Sequence, residues 1–384
     1  MNQFDDIRPY TDDEVRPTID RLLNDSEFLT AVCHLKFPKA PNFLLKKLKR
    51  AVKRHFTHQT ARVNNVYDFQ ILAKKYARRV ISKTMDGVTV SGLENVQTDK
   101  AHLFISNHRD IALDPVLINY VLFNNNYDTV NVAIGDNLLT RSYIADLMRL
   151  NKSFIVNRSA TAPRQKLNAA KHLSAYINHC ITKENVGVWI AQREGRAKDG
   201  IDVTNSALIS MLSLDKPKQQ SLTDYIHQLN IIPISISYEW DPCDFAKANE
   251  LYIYNTAGNY EKEEHEDFAS IIQGITGQKG RVHIAFGEAL TGNYQTTDDI
   301  VAELDKSIID NYVLHPSNCL AYRQLFGELP PTVELTNRSV PFDQKRFKRQ
   351  TEQFNKRLEA SDEKWRSIFL TMYANPIVSK YPMQ

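Results

Sequence analysis

Residues 102–115 read HLFISNHRDIALDP. The apolar run at 102–106 predicts a strand, the polar stretch after it a loop, and Pro115 the first turn of a helix, where a missing N–H does no harm. The same handover recurs along the chain. VNVAI (130–134), SFIVN (153–157), GVWIA (187–191), LNIIPISISYE (229–239) and RVHIAF (281–286) read as further strands, rich in Val, Ile and Phe. Helix candidates lie between them, near 115–125, 140–149, 163–182 and 204–214. Strands alternating with helices imply an α/β fold with a mainly parallel mixed sheet flanked by helices. Ligands of such sheets sit beyond the C-terminal ends of the strands, so the loops after them are where chemistry is expected. Pro233, early in the run 229–239, suggests an edge strand or an irregular start.

The whole chain has 384 residues, 42% apolar, 24% charged and 10% aromatic, a mix that excludes a disordered or fibrous protein. Cys33, Cys180, Cys243 and Cys319 form no C-x-x-C pair, so neither a disulfide scaffold nor a cysteine-rich zinc site is expected. The longest uncharged stretches, such as Pro115–Tyr127 and Val203–Leu214, fall short of the roughly 20 apolar residues a spanning helix needs. Residues 1–10 carry Asp5, Asp6 and Arg8 without an apolar core, so no secretory signal is expected. These features leave a cytoplasmic protein, free or on a membrane surface.

A formal net charge of +3 hides a strong asymmetry. Residues 1–35 carry −5, residues 36–79 carry +12, and the remaining 305 carry −4. Within the basic block, residues 43–56 read FLLKKLKRAVKRHF. Phe43, Leu44, Leu48, Val52 and Phe56 recur near helical spacing, with Lys46, Lys47, Lys49, Arg50, Lys53 and Arg54 filling much of the rest. Such a helix suits an anionic lipid surface. It equally suits packing on a core with its lysines in solvent, and the pattern leaves both open. The helical trend runs on to about Ser82, since no Gly or Pro interrupts 43–81. No aromatic-interleaved basic motif points to nucleic acid. Three regions follow: a helical N-terminal region (1–85), an α/β domain (86–330) and a helical C-terminal extension (331–384). Pro330-Pro331 punctuates the last boundary. Beyond it, 342–374 reads as one charged helix with Phe347, Phe354, Leu358, Trp365 and Phe369 as its apolar stripe.

His108 follows the strand at 102–106, with Asp110 and Asp114 two and six residues on. Neutral imidazole can take a proton from a hydroxyl, and a carboxylate on its other nitrogen fixes the tautomer and stabilises the imidazolium. Asp114, just before Pro115, would alternatively serve as a helix N-cap. His108-Arg109-Asp110 also matches the opening of a kinase catalytic loop. There the metal-binding Asn stands five residues after the Asp, but position 115 is proline, and neither a Gly-rich loop nor D-F-G is present. That reading fails. After the strand at 187–191 comes Gln192-Arg193-Glu194-Gly195-Arg196-Ala197-Lys198-Asp199-Gly200, either a cradle for an anion or an ordinary charged turn. The chain offers no G-x-S-x-G elbow and no H-E-x-x-H zinc helix.

Order and spacing of these pieces resemble the glycerol-3-phosphate and 1-acylglycerol-3-phosphate acyltransferase family, over about residues 86–326. Asn107, His108 and Asp114 look like its first block, Ser153–Arg158 its second, Glu194-Gly195-Arg196 its third and Ile232-Pro233-Ile234 its fourth. The continuation Ser237-Tyr238-Glu239 is similar to the glycerol-3-phosphate type. Here five residues separate His108 from Asp114 where the family has four, which leaves Asp110 as an alternative partner. Lys152 stands where the second block commonly has glycine, and the third block is one residue short, so Arg193 could share the role of Arg196. The resemblance implies acyl transfer from acyl-CoA or acyl carrier protein to a hydroxyl of a glycerol-phosphate-type acceptor. The implied alternatives are another lyso-lipid acceptor, or a non-catalytic lipid-surface protein of the same fold. It further implies His108 as base with Asp114 as its partner, and Asn107, Arg158, Glu194, Gly195, Arg196 and Lys198 around the acceptor. No metal or cofactor is implied. The basic block would then meet an anionic membrane or an acidic acyl carrier protein.

Overall fold

The computed structural model describes residues 3–37, 39–263, 266–329, 334–335 and 340–382. In chain order it begins with helices α1 (Asp12–Asn24), α2 (Ser26–Lys36), α3 (Leu45–Gln59) and α4 (Val66–Thr84). Next come β1 (Met85–Ser91), β2 (Leu103–Ser106), α5 (Leu113–Asn124), β3 (Asn131–Gly135), α6 (Ser142–Leu150) and β4 (Ser153–Val156). Then follow α7 (Pro163–His179), β5 (Val188–Ala191), α8 (Ser206–Leu212), α9 (Leu222–Leu229) and β6 (Ile231–Tyr238). The chain continues with α10 (Asp244–Ala257), α11 (Glu266–Thr276), β7 (Gly280–Phe286), α12 (Thr297–Asp310), α13 (Pro316–Phe326), α14 (Lys348–Ala360) and α15 (Arg366–Lys380). The residues group into two compact units.

One unit comprises Met1–Tyr76 and Thr129–Leu173. Its core gathers Val15, Ile19, Leu22, Phe28, Leu29, Val52 and Leu150. Strands β3 and β4 pair in parallel here. Lys152, just before β4, holds a left-handed φ of 58°, a conformation that glycine adopts without steric cost. The basic stretch, expected to be one helix to about Ser82, is two. The Asn65 side chain accepts the Asp68 N–H and the Asp68 carboxylate accepts the Asn64 N–H, so a polar pair starts α4 where neither Gly nor Pro announced a break.

The other unit comprises Ala77–Asp128 and Ser174–Gln384. Five strands run in the order β1-β7-β6-β2-β5, all neighbours parallel except β6 and β7. The sheet is thus mainly parallel and mixed, as the alternation implied. Every residue of β2 and of β6 is buried, which explains runs of apolar residues without the two-residue alternation of a half-exposed strand. β1 escaped the sequence reading because MDGVTVS lacks such a run. β6 is not an edge strand: it pairs with β2 on one side and β7 on the other. The ladder to β7 starts only at Ile234, so the missing N–H of Pro233 falls at its end.

The predicted helix 342–374 is two helices, with a turn in which Asp362 accepts the Lys364 N–H between α14 and α15. Phe347, Phe354, Trp365 and Phe369 of the expected stripe are buried, with Leu358 half-buried beside them. Pro330-Pro331 lies outside the described residues.

Candidate active site

The site grows from the C-terminal end of β2, where Ser106 hands over to Asn107 and His108. Parallel pairing aligns Ser106 with Ala191 of β5 and with Ile234 of β6, so the loops after these three strands emerge at the same edge. Backbone bonds then join the loops. Gln192 N–H donates to Ser106 O at 2.8 Å, and Ala197 N–H donates to His108 O at 2.9 Å.

Asn107 is fully buried and works as a staple. Its Oδ1 accepts the Ile236 N–H at 2.8 Å, and its Nδ2 donates to Ile236 O and to Asp202 Oδ2, both at 3.0 Å. These bonds join the loop after β2 to β6 and leave the amide facing protein.

His108 Nδ1 stands 2.8 Å from Asp114 Oδ2. A carboxylate can only accept, so Nδ1 carries the proton and Nε2 is the basic nitrogen. Nε2 has no hydrogen-bond partner among the described residues. The ring meets Trp189 edge-on with centroids 6.1 Å apart, which restrains its rotation. Asp114 is itself held: Oδ2 also accepts the Arg109 and Asp110 N–H groups at 2.7 and 3.0 Å, and Oδ1 accepts the Tyr238 hydroxyl at 2.8 Å. Of the two carboxylates left open by the sequence, geometry pairs Asp114 with His108. Asp110 does the capping instead, its Oδ1 accepting the Ala112 and Leu113 N–H groups at the start of α5. Burial pushes Asp110 above the ordinary carboxylate range, and the neighbouring Asp114 pushes the same way.

Beyond β5, Glu194 and Gly195 form the exposed tip of the charged loop, with Gly195 at a φ of 75° and open space where a side chain would stand. Arg196 turns inward, buried, and donates to Ser270 Oγ of α11 at 3.3 Å. Lys198 is ion-paired with Glu250 of α10. Arg193 is half-buried and has no hydrogen-bond or ion-pair partner among the described residues. The loop's three cations are thus unequal: two are tied to neighbouring helices and one is uncommitted. Arg158 belongs to the other compact unit, directly after β4, where its backbone N–H donates to Asp136 Oδ1 at 3.0 Å.

Three contributors carried no assigned role in the sequence reading. Arg109 donates to Asp202, stacks over the Tyr312 ring at 5.3 Å, and stays charged: burial works against its charge, but Asp202 raises its pKa above the ordinary value. Lys247 of α10 donates to Arg109 O at 2.8 Å and pairs with Asp241, holding the histidine loop from below. Burial alone would raise Asp241, yet the Lys247 ammonium keeps it below the usual range. Tyr238 is the third. A C-terminal helix steadies this support, since Tyr373 of α15 donates to Asp244 Oδ2 at 2.8 Å and accepts the Asp241 N–H at 3.0 Å. Arg109, Lys198, Tyr238, Tyr312 and Tyr373 line a cleft of about 390 Å³, its open mouth included. No signal in the sequence marks Asp202, which stands alone in a loop. Tyr238 was visible only as part of a longer motif.

The six basic residues of α3 lie in the other unit. Lys46, Lys47, Arg50, Lys53 and Arg54 are exposed, while Lys49 is half-buried and donates to Ser26 Oγ at 3.0 Å. The apolar stripe of α3 is spent inside its own bundle: Val52 is buried, and Leu45, Leu48 and Phe56 pack beside it. Phe43, just before α3, is 80% exposed. Among the described residues no helix is long and apolar enough to cross a membrane, and no trio of His, Cys, Asp or Glu is placed to hold a metal ion.

No curated protein sequence matches the chain. Among solved structures it is similar to the 1-acyl-sn-glycerophosphate (LPA) acyltransferase PlsC from Thermotoga maritima, at 13% identity and a TM-score of 0.39, over 77% of this chain and 94% of that one. Residues 87–237 match the family model described as Acyltransferase. That stretch, similar to an acyltransferase domain, contains His108, Asp114 and the whole charged loop.

Proposed function

We propose that the protein transfers a fatty acyl group from acyl-CoA or acyl carrier protein to a hydroxyl of a glycerol-phosphate-type acceptor. The observation that carries this reading is a histidine whose Nδ1 is held by a buried carboxylate at 2.8 Å while Nε2 is left open. His108 Nε2 takes the proton of the acceptor hydroxyl as its oxygen attacks the thioester carbonyl. The tetrahedral intermediate expels the thiolate, the imidazolium returns the proton to it, and an ester and a free thiol result. Base catalysis of this kind contributes about 10²–10⁴-fold. Arg193, the uncommitted cation of the charged loop, makes first contact with the acceptor phosphate. Arg196 and Lys198 hold the loop on α11 and α10 and add positive field. Glu194, at the tip, hydrogen-bonds an acceptor hydroxyl.

On this reading the protein docks on an anionic membrane from the cytoplasmic face. Exposed cations of α3 supply the attraction, with the exposed Phe43 just before it as an apolar contact, because the helix's own stripe packs inside its bundle. The test is a panel. Purified protein is offered acyl-CoA or acyl carrier protein donors, with glycerol phosphate, acylglycerol phosphate and lyso-lipid acceptors, and products are read by mass spectrometry. Ester formation on a phosphate-bearing glycerol, abolished in folded His108→Ala, is expected. Wild-type turnover in that variant would overturn the mechanism, and products only on other acceptors would overturn the substrate class.

A further inference from the structure

Tyr238 ends β6 and stands one residue beyond the stretch that matches the family model. It is buried, and its register opposite Val282 of β7 fixes where its ring enters the site. Its hydroxyl donates at 2.8 Å to Asp114 Oδ1, the oxygen that His108 does not use, and Oδ1 has no other partner among the described residues. All other donors converge on Oδ2. A carboxylate held through one oxygen alone can swing about its Cβ–Cγ bond, and such a swing would carry Oδ2 out of line with Nδ1.

We propose that Tyr238 is a positioning residue of the acyl transfer, locking the Asp114 carboxylate in the plane where it meets the His108 imidazole. The inference rests on the reading of His108 as the base. Burial and the adjacent Asp114 charge push the Tyr238 phenol well above its ordinary pKa, so it remains a donor at every working pH. It sits on a strand paired with β7 at Tyr238 itself and stapled by Asn107 at Ile236, the kind of rigid element that can hold a reacting group within fractions of an ångström. Without it, Oδ1 is a buried acceptor without a partner, and the carboxylate turns to find one.

The experiment is a double-mutant cycle of Tyr238→Phe and Asp114→Asn, with kcat and KM measured for donor and acceptor. Proton NMR of the His108 Nδ1–H signal accompanies it. Tyr238→Phe keeps the ring and is expected to fold. Its kcat should fall about ten- to a hundredfold, the range a hydrogen bond to a charged group can supply, with KM nearly unchanged. In the Asp114→Asn background the same change should cost less than about threefold, because the partner it acts on has lost its charge. The Nδ1–H signal should shift or broaden in Tyr238→Phe. An equal fall in both backgrounds, or an unmoved signal and unchanged kcat, overturns the proposal. A His108→Ala variant that still turns over would sink the reading of the base instead, and the NMR arm, which needs no substrate, separates the two failures.

Discussion

Replacing Asp114 by Asn removes a charge while keeping the architecture that holds it. In the parent, Oδ2 accepts from His108 Nδ1 at 2.8 Å and from the Arg109 and Asp110 N–H groups, and Oδ1 accepts from Tyr238. A carboxamide can keep its oxygen on the Oδ2 side, still facing those three donors. Its NH2 then turns to Tyr238, whose hydroxyl can rotate to accept. Folding should therefore cost only about 1–2 kcal/mol. Catalysis loses more. With the carboxylate and developing imidazolium charges about 4 Å apart, and an effective dielectric of about 20, their attraction is about 4 kcal/mol. At about 1.4 kcal/mol per decade this predicts a fall in kcat of roughly 10³-fold. Thiol release from the acyl donor gives the rate, and thermal unfolding by circular dichroism checks the fold. A kcat within tenfold of the parent, in a variant that melts normally, would refute the assignment of Asp114 as the charge that supports the base.

Acid should weaken the fold through His283, which sits between Thr89 Oγ1 and Ser91 Oγ at 2.8 and 2.9 Å. Burial lowers it from 6.5 to about 4, so the unfolded chain takes up a proton that the folded chain resists. Its share of stability is intact above pH 6.5 and is lost as pH falls toward 4, approaching about 3 kcal/mol. His283→Gln should flatten that part of the slope in urea unfolding at pH 7 and 4.5, and identical slopes would refute it. At the membrane, changing Lys46, Lys47, Arg50 and Arg54 to Gln should weaken binding to anionic vesicles up to about 10³-fold at low salt, at about 1 kcal/mol per cation near the surface. Equal binding of the parent to neutral vesicles, or no loss in the variant, would count against docking by α3.

How far the sequence could be read depended on the range of the forces involved. The six strand segments from 102 to 286 were legible because largely buried strands read as apolar runs, and such a run is local information. His108 was legible because it directly follows one of them. The breaks near residues 60–65 and 361–365 were not, since Asn65 and Asp362 make them with single short polar side chains, a weaker signal than Gly or Pro. The use of α3 was open for a different reason: an apolar stripe looks the same whether a bilayer or a neighbouring helix covers it. The edge expectation for β6 failed because one proline can be absorbed where a ladder ends.

Sequence by itself determined the α/β class, the mainly parallel sheet, the histidine after β2 and the charged loop after β5, all properties of residues within one or two turns of each other. Tertiary structure decided which carboxylate meets His108, the inward commitment of Arg196 and Lys198, the stapling of Asn107 onto Ile236 and the arrival of Tyr238 on Asp114. Tyr238 and Asp114 are 124 positions apart in the chain. Only the parallel pairing of β2 with β6 brings the two loops to one edge, and hydrogen bonds reach no farther than about 3 Å. A side chain's chemistry can be read from the letter that names it, but its partner is set by the register of the sheet.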